Sequence, residues 1–183
     1  EFLKDIGFGF NPKLKCESIP YDEVESRGLP RECSRHSSSY PDSWIEYRLI
    51  GCIENIRYIV DNNNQFEERK YRSILLWKIL SDCILDIKDS WCGKYSFTFY
   101  HKHTENSQPF ESSDVKCLKE DPWLINNQNC FVSATEVTQQ SMSLEYVKSE
   151  ELFAFLGIRS NEERYSQLTD KERELLELGK LAD

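Results

Sequence analysis

The chain has 183 residues, of which 39% are hydrophobic and 13% aromatic, and its formal net charge is -9. This composition excludes a disordered tail, because the apolar residues suffice to build a core. No stretch approaches the roughly 18 to 20 apolar residues that span a bilayer, so a membrane protein is not expected. The acidic balance argues against a general nucleic-acid surface, which needs a basic footprint, but it does not exclude a local basic patch.

The first 42 residues precede the main module. Residues 1–9 are predicted to be the tail helix of a preceding unit, because Gly7 is typical of a helix end. Residues 10–42 contain four X-Pro steps, which favour extended backbone. They are predicted to form an irregular arm with a short strand over 13–18.

Two helices are predicted next. Between Tyr47 and Val60 the apolar residues are spaced by three and four, which favours a helix. The second helix, over 66–84, has a charged first part and a broad apolar face that includes Trp77 and Leu80. It is predicted to be the principal core helix.

In the middle of the chain, the spacing of the apolar residues changes from a helical to a strand pattern. Residues 91–101 alternate aromatic and polar side chains, which predicts a half-buried strand. The polar stretch 101–109 is predicted to be a loop. A short helix is predicted over 110–119, with Ser112 or Ser113 as its N-cap.

The last third contains a hairpin and further helices. Two apolar runs separated by a polar turn predict a hairpin over 123–132. A helix is predicted over 149–157 with Ser149 as its N-cap. Two more helices are predicted, over 160–167 and from Thr169 onward.

Together these elements predict an α+β fold, with several helices packed on a small, mostly antiparallel sheet or hairpin. The predicted divisions are the tail helix (1–9), the irregular arm (10–42), the main α+β module (43–158) and a C-terminal amphipathic helix (159–183).

The seven cysteines are odd in number and irregularly spaced, and no C-x-x-C pair occurs. Several lie within apolar patterns, where a free thiol behaves as a small buried hydrophobe. The cysteine usage therefore predicts a reducing, cytoplasmic location without a disulfide framework.

One short phrase occurs twice. Residues 1–8 read E-F-L-K-D-I-G-F, and residues 151–158 read E-L-F-A-F-L-G-I. Each is a short amphipathic run closed by an apolar-Gly-apolar group, where the glycine favours a left-handed helix end. This recurrence predicts that the chain is one unit of a larger, repetitive protein and begins on the tail of the preceding unit.

Several phrases follow the first copy in a fixed order: S-x-x-L-W-x-x-L over 73–80, W-L at 123–124, F-V-x-x-x-E-V over 131–137 and L-G-I over 156–158. In this order they resemble the repeat region of sacsin-like proteins. These are large bacterial and eukaryotic proteins that join a GHKL-type ATPase module to long downstream segments. The resemblance covers about residues 1–158 and departs from the usual F-V-x-P form at Ala134.

The ATPase itself is not carried over by this resemblance. The family's nucleotide-binding motifs, an Asn-containing helix and a D-x-G-x-G loop, do not occur in these residues. The resemblance therefore implies a non-catalytic segment downstream of the ATPase, without a cofactor. Its implied partners are neighbouring modules of the same parent chain and protein clients, as in a chaperone-like or bacterial defence protein.

A few residues could carry chemistry of their own. His101 and His103 are two apart at the end of the aromatic strand, so both could ligate one metal ion if a third ligand came from elsewhere. Cys92 could meet one of them as a nucleophile and base, but nothing in the sequence indicates an oxyanion hole. Cys33 and His36 make a poor zinc pattern without a C-x-x-C pair. For each, an ordinary strand end or loop is the alternative.

Tryptophans near turns could serve as interaction anchors if they are exposed. Trp44 and Trp91 are the candidates, and Trp44, which follows a polar loop, is predicted to be the most exposed. Core packing is the alternative for all four tryptophans, and Trp77 is predicted to be structural.

The predicted function is therefore a non-catalytic scaffold or protein-interaction module. One alternative is an accessory domain that recognises nucleic acid in a bacterial defence system, with Arg31 and Arg35 contacting phosphate. Acidic residues interleave with these arginines, which favours a solvated loop. Another alternative is a Cys/His enzyme or metal-binding domain.

Overall fold

The computed structural model describes residues 13–29, 43–98 and 105–166. These residues form the predicted α+β fold. The strands are β1 (Leu14–Ser18), β2 (Ser43–Leu49), β3 (Gly93–Thr98), β4 (Glu105–Phe110), β5 (Leu124–Ile125) and β6 (Phe131–Val132). The helices are α1 (Tyr21–Ser26), α2 (Cys52–Asp61), α3 (Phe66–Ile87), α4 (Ser113–Glu120), α5 (Glu150–Leu156) and α6 (Asn161–Ser166).

The larger sheet is antiparallel throughout, in the order β1-β2-β3-β4. Its register pairs Cys16 with Tyr47 and Trp44 with Tyr95. The strand predicted over 13–18 is thus confirmed as β1. Because β1 pairs with β2, a boundary between an arm and a main module at residue 42 would divide one sheet.

The helix predicted between Tyr47 and Val60 is confirmed as α2, but its predicted start is wrong, as is part of the predicted loop over 101–109. Residues 47–49 belong to β2 rather than to a helix, and α2 begins at Cys52 after Gly51, whose φ of 84° interrupts the regular backbone. The apolar spacing placed the start of the helix too early, because Leu49 fits both the pattern of a strand and the pattern of a helix. Within the polar stretch predicted as a loop, residues 105–109 lie in β4, which is an edge strand and so needs few apolar side chains.

The main core lies along α3. The prediction of this helix is confirmed, and it runs three residues further than expected, to Ile87. The Trp77 side chain is fully buried, and its ring centroid lies 6.3 Å from Trp123, 5.3 Å from Tyr146 and 5.4 Å from Phe153. Helix α3 therefore joins the hairpin, the following segment and α5 into one core.

A smaller apolar cluster lies on one face of the sheet, against α1. Trp44 stacks on Tyr95 with ring centroids 5.0 Å apart, and Ile19 and Val24 complete the cluster. Across the strand pair, Gly93 lies opposite Phe110, and a Cβ at this glycine would overlap the phenyl ring. The close approach of the ring explains why a glycine begins β3.

The predicted hairpin and the helix after it are also confirmed. Strands β5 and β6 pair antiparallel. Helix α5 begins as predicted at Ser149, whose hydroxyl accepts a hydrogen bond from Leu152 N at 3.4 Å. It ends at Gly157, which has a φ of 74°, and Ile158 N donates to Phe153 O at 2.9 Å. This is a glycine-capped helix end with the following apolar residue folded back.

The next short helix is present as α6, whereas residues 1–9 and the helix expected from Thr169 lie outside the described residues. None of the described helices is both long and apolar enough to cross a bilayer.

Candidate functional site

The two tryptophans predicted as interaction anchors are buried. Trp44 is 6% exposed and packs on Tyr95, and Trp91 is 2% exposed and stacks on Phe155 at 5.7 Å. The prediction that Trp44 is the exposed tryptophan is wrong, because its side chain alternates onto the sheet face that α1 covers. Core packing is the role that the structure gives to both residues.

Only one member of the proposed Cys/His pair, Cys92, lies within the described residues. Cys92 is half-buried immediately before β3, and its carbonyl accepts a hydrogen bond from Tyr47 N at 3.0 Å. His101 and His103 lie outside the described residues, as do Cys33 and His36. Within residues 13–29, 43–98 and 105–166, no three His, Cys, Asp or Glu side chains converge as metal ligands.

A charged cluster that the sequence did not reveal lies between the sheet and α4. It comprises Arg27, Glu46, Arg48 and Asp114. Glu46 and Asp114 are 2% and 0% exposed. Glu46 and Arg48 are two residues apart on β2, so both face the start of α4. Buried carboxylates require hydrogen-bonding or charged partners, and these two have both.

Glu46 holds the first turn of α4. Its Oε2 accepts from Ser113 N at 3.0 Å and from Ser113 Oγ at 2.5 Å, and its Oε1 accepts from Arg27 Nη1 at 3.0 Å. The helix dipole also favours a negative charge at this end. Ser112 occupies the predicted N-cap position, but its side chain makes no cap hydrogen bond. The cap is therefore supplied by a glutamate from the sheet.

Asp114 ties the next residue of α4 to the same strand. Its Oδ2 accepts from Leu49 N at 2.6 Å, and its Oδ1 accepts from Arg48 Nε at 3.1 Å. Arg48 also reaches Glu17 on β1, with Nη1 3.2 Å from Oε2. Burial raises the pKa of Asp114, even though the bonds from Arg48 and Leu49 act to lower it.

The chemistry of the cluster favours holding structure together. Both oxygens of Glu46 and of Asp114 already accept hydrogen bonds. The thiol of Cys52 at the start of α2 is fully buried, and burial raises its pKa well above the usual range. A thiol with a raised pKa remains protonated and is a poor nucleophile.

The cluster should make the fold sensitive to acid. Burial by itself would raise the pKa of Glu46, but hydrogen bonds from Ser113 and Arg27 outweigh burial, so the pKa is lowered below the ordinary 4.5. A carboxyl group whose pKa is lowered by folding stabilises the fold at pH values above its ordinary, unfolded-state pKa. That stabilisation is lost as the pH falls through the lowered pKa of the folded state. We expect Glu46→Gln to lower stability at pH 7 and to flatten its fall below pH 4.5.

Urea unfolding of both chains between pH 7 and pH 3 measures this effect. The raised pKa of Asp114 acts with the opposite sign, and the charge of Glu46 is one of its causes, so the difference between the two chains reports the coupled titration of Glu46 and Asp114. Parallel pH profiles for the two chains would contradict the role assigned to Glu46.

A second candidate site is a surface around Leu144 and Val147, here called the 144–147 surface. Leu144 is 100% exposed and Val147 is 54% exposed. Leu144 also lines a depression of about 300 Å³ together with Met142, Lys148 and Phe153. Scattered apolar side chains are normal at a surface, so the question is what holds these two in place.

The backbone under the 144–147 surface is fixed to the core. The Tyr146 hydroxyl accepts from Ile125 N at 2.9 Å and shares a hydrogen bond of 2.5 Å with Ser73 Oγ. Trp77 Nε1 donates to Val147 O at 2.8 Å. Lys70 forms an ion pair of 2.5 Å with Glu145. Burial raises the pKa of Tyr146 to about 12, so the phenol keeps its proton.

The sequence did not predict this surface, because the apolar residues within 138–148 follow neither the spacing of a helix nor that of a strand. Met142, Leu144, Tyr146 and Val147 are all apolar or aromatic, and nothing local tells which of them are covered. Contacts with Ser73 and Trp77 of α3 bury Tyr146, and Met142 is buried in the main core, whereas the other two side chains are exposed.

Comparisons with protein-family models, with curated proteins and with solved structures each find no match to this chain.

Proposed function

We propose that this chain is a non-catalytic protein-interaction module of a large sacsin-like protein, whose ATPase lies elsewhere in the parent chain. The observation that supports an interaction role is that Leu144 is fully exposed on a segment that is hydrogen-bonded to α3. Its partners are neighbouring modules of the parent or protein clients. The order of phrases described above supports the family.

The 144–147 surface has the physical properties of a docking site. Binding costs less conformational entropy when the contact residues already lie on a fixed backbone. Covering an exposed leucine and valine removes apolar area from water, which favours association. The depression beside Leu144 offers room for a side chain of the partner.

The net charge of -9 and the ion pairs of two arginines support binding of protein rather than nucleic acid, whereas Arg31 and Arg35, the predicted phosphate contacts, lie outside the described residues. Arg27 pairs with Glu23 and Glu46, and Arg48 pairs with Glu17 and Asp114. These two arginines are thus already neutralised within the fold. The six described cysteines are free thiols, which fits a reducing compartment such as the cytoplasm.

The 144–147 surface can be tested with two labelled probes. One is the segment of the parent protein that adjoins this 183-residue chain. The other is a reduced, carboxymethylated polypeptide, which serves as a model client. We expect the double variant Leu144→Ser, Val147→Ser to weaken binding of at least one probe by about tenfold or more, because two apolar contacts are lost. Fluorescence anisotropy measures the dissociation constants.

Leu85→Ser is the matched control, because Leu85 is 61% exposed on α3 and does not belong to the surface. Circular dichroism checks that all variants remain folded. Equal affinities for the double variant and the control, or no binding of either probe by the wild type, would refute the proposal.

A further inference from the structure

Strand β1 lies at one edge of the larger sheet. In the described part of the chain, no strand lies beyond it in the order β1-β2-β3-β4. Ile19, directly after β1, donates its N–H to Trp44 O at 2.8 Å, which sets the alternation of hydrogen bonds along the strand pair. The odd-numbered residues of β1 therefore bond to β2. The even-numbered residues point their backbone N–H and C=O groups toward the outer edge: Leu14, Cys16 and Ser18.

The opposite edge of the sheet is protected by a proline. Tyr47 N donates to Cys92 O at 3.0 Å, and the same alternation, carried across β3, determines which residues of β4 face outward. These residues are Glu105, Ser107 and Pro109. Proline has no N–H to offer to another strand, and edge strands use it in this way. Strand β1 has the sequence L-K-C-E-S, so each of its outward residues has a donor as well as an acceptor.

The outer edge of β1 is complementary to a second copy of itself. When two copies pair antiparallel around a two-fold axis at Cys16, Leu14 of each copy lies opposite Ser18 of the other, and outward N–H groups meet outward C=O groups. The same register places Lys15 of each copy opposite Glu17 of the other. A shift by two residues would instead oppose two lysines or two glutamates. The charges therefore favour this one register.

We propose that two copies of this chain form a weak two-fold dimer, in which their β1 strands pair antiparallel and join the two sheets. Ile50 is 59% exposed and lines a depression of about 300 Å³ beside this edge together with Lys15 and Glu17, so the second copy can also cover apolar surface. A pair of five-residue strands buries less area than the about 1,200 Å² of a stable interface, so the dimer should depend on concentration. This inference goes beyond the proposed function and does not depend on the 144–147 surface.

Charge exchange between two variants of the full chain tests the register. Within one chain, Lys15 Nζ lies 2.8 Å from Glu17 Oε1. The variant Lys15→Glu has two acidic residues and Glu17→Lys has two basic residues, so each variant alone opposes like charges in the dimer. In an equimolar mixture an acidic copy can pair with a basic copy, although neither copy regains its own ion pair.

We expect each variant alone to raise the dissociation constant of the dimer at least about fivefold, and the mixture to recover most of the wild-type affinity. Sedimentation equilibrium over a range of protein concentrations measures these constants, with a fluorescent label on one variant in the mixture. A reducing buffer prevents a disulfide between two exposed Cys16 thiols.

Cys16→Pro is an independent test of the strand pairing. It removes an outward N–H and leaves the hydrogen bonds between β1 and β2 in place. We expect this variant to remain folded by circular dichroism and to be monomeric at every concentration. Lys116→Glu is the matched control for the charge changes, because it breaks an exposed lysine–glutamate pair that lies on α4. This control should dimerise like the wild type.

A wild-type chain that stays monomeric would overturn the inference, as would a mixture no tighter than the separate variants. Dimerisation that persists in Cys16→Pro but disappears in the Leu144→Ser, Val147→Ser variant would place the self-contact at the 144–147 surface, and would overturn it as well. The probe-binding assay at the 144–147 surface and the dimerisation assay use different variants, so failure of one proposal is distinguishable from failure of the other.

Discussion

Replacing Trp77 with alanine should lower the free energy of unfolding by about 4 kcal/mol, as expected for a large buried aromatic residue. The indole is fully buried and contacts the rings of Trp123, Tyr146 and Phe153. Its Nε1 also donates to Val147 O, which would lose its partner. One substitution thus loosens three elements packed around α3.

Urea unfolding followed by circular dichroism measures this change. Trp77→Phe should fall between the alanine variant and the wild type, because it keeps a ring but loses the Nε1 donor. Leu85→Ala is the control on the same helix, and its exposed side chain predicts a change within about 0.5 kcal/mol. A loss below about 1.5 kcal/mol for Trp77→Ala would show that the core does not depend on α3 in this way.

Replacing Asp114 with alanine should cost about 3 kcal/mol, because it leaves two donors without their acceptor. Leu49 N lies 2.6 Å from one carboxylate oxygen, and Arg48 Nε lies 3.1 Å from the other. The side chain is completely buried, so water cannot easily replace it. Asp114→Asn keeps an acceptor for Leu49 N and should lose less.

Glu17→Ala provides the matched control for this prediction. Glu17 pairs with the same guanidinium of Arg48, but its side chain is 34% exposed. An exposed ion pair contributes at most about 1 kcal/mol, so the control should change stability little. If Asp114→Ala lost no more than Glu17→Ala in urea unfolding, the cluster would not hold α4 to the sheet.

The parts of the fold that the sequence alone determined are those whose signals are local. Helix α3 follows from its apolar period, and α5 follows from Ser149 and Gly157 at its ends. The β5–β6 hairpin follows from two apolar runs around a polar turn. In each case the residues that decide the structure lie within one or two turns of each other, so their pattern can be read without knowing the neighbours.

Only the tertiary structure decided the sheet edges and the candidate sites. The polar strand β4 owes its conformation to pairing with β3, and Trp44 is buried because α1 covers its face of the sheet. Glu46 and Ser113 lie 67 residues apart, and no local pattern predicts that one caps the helix of the other. Exposure of Leu144 likewise depends on which side of its segment α3 covers. Burial and pairing are properties of contacts between distant residues, which a single sequence does not record.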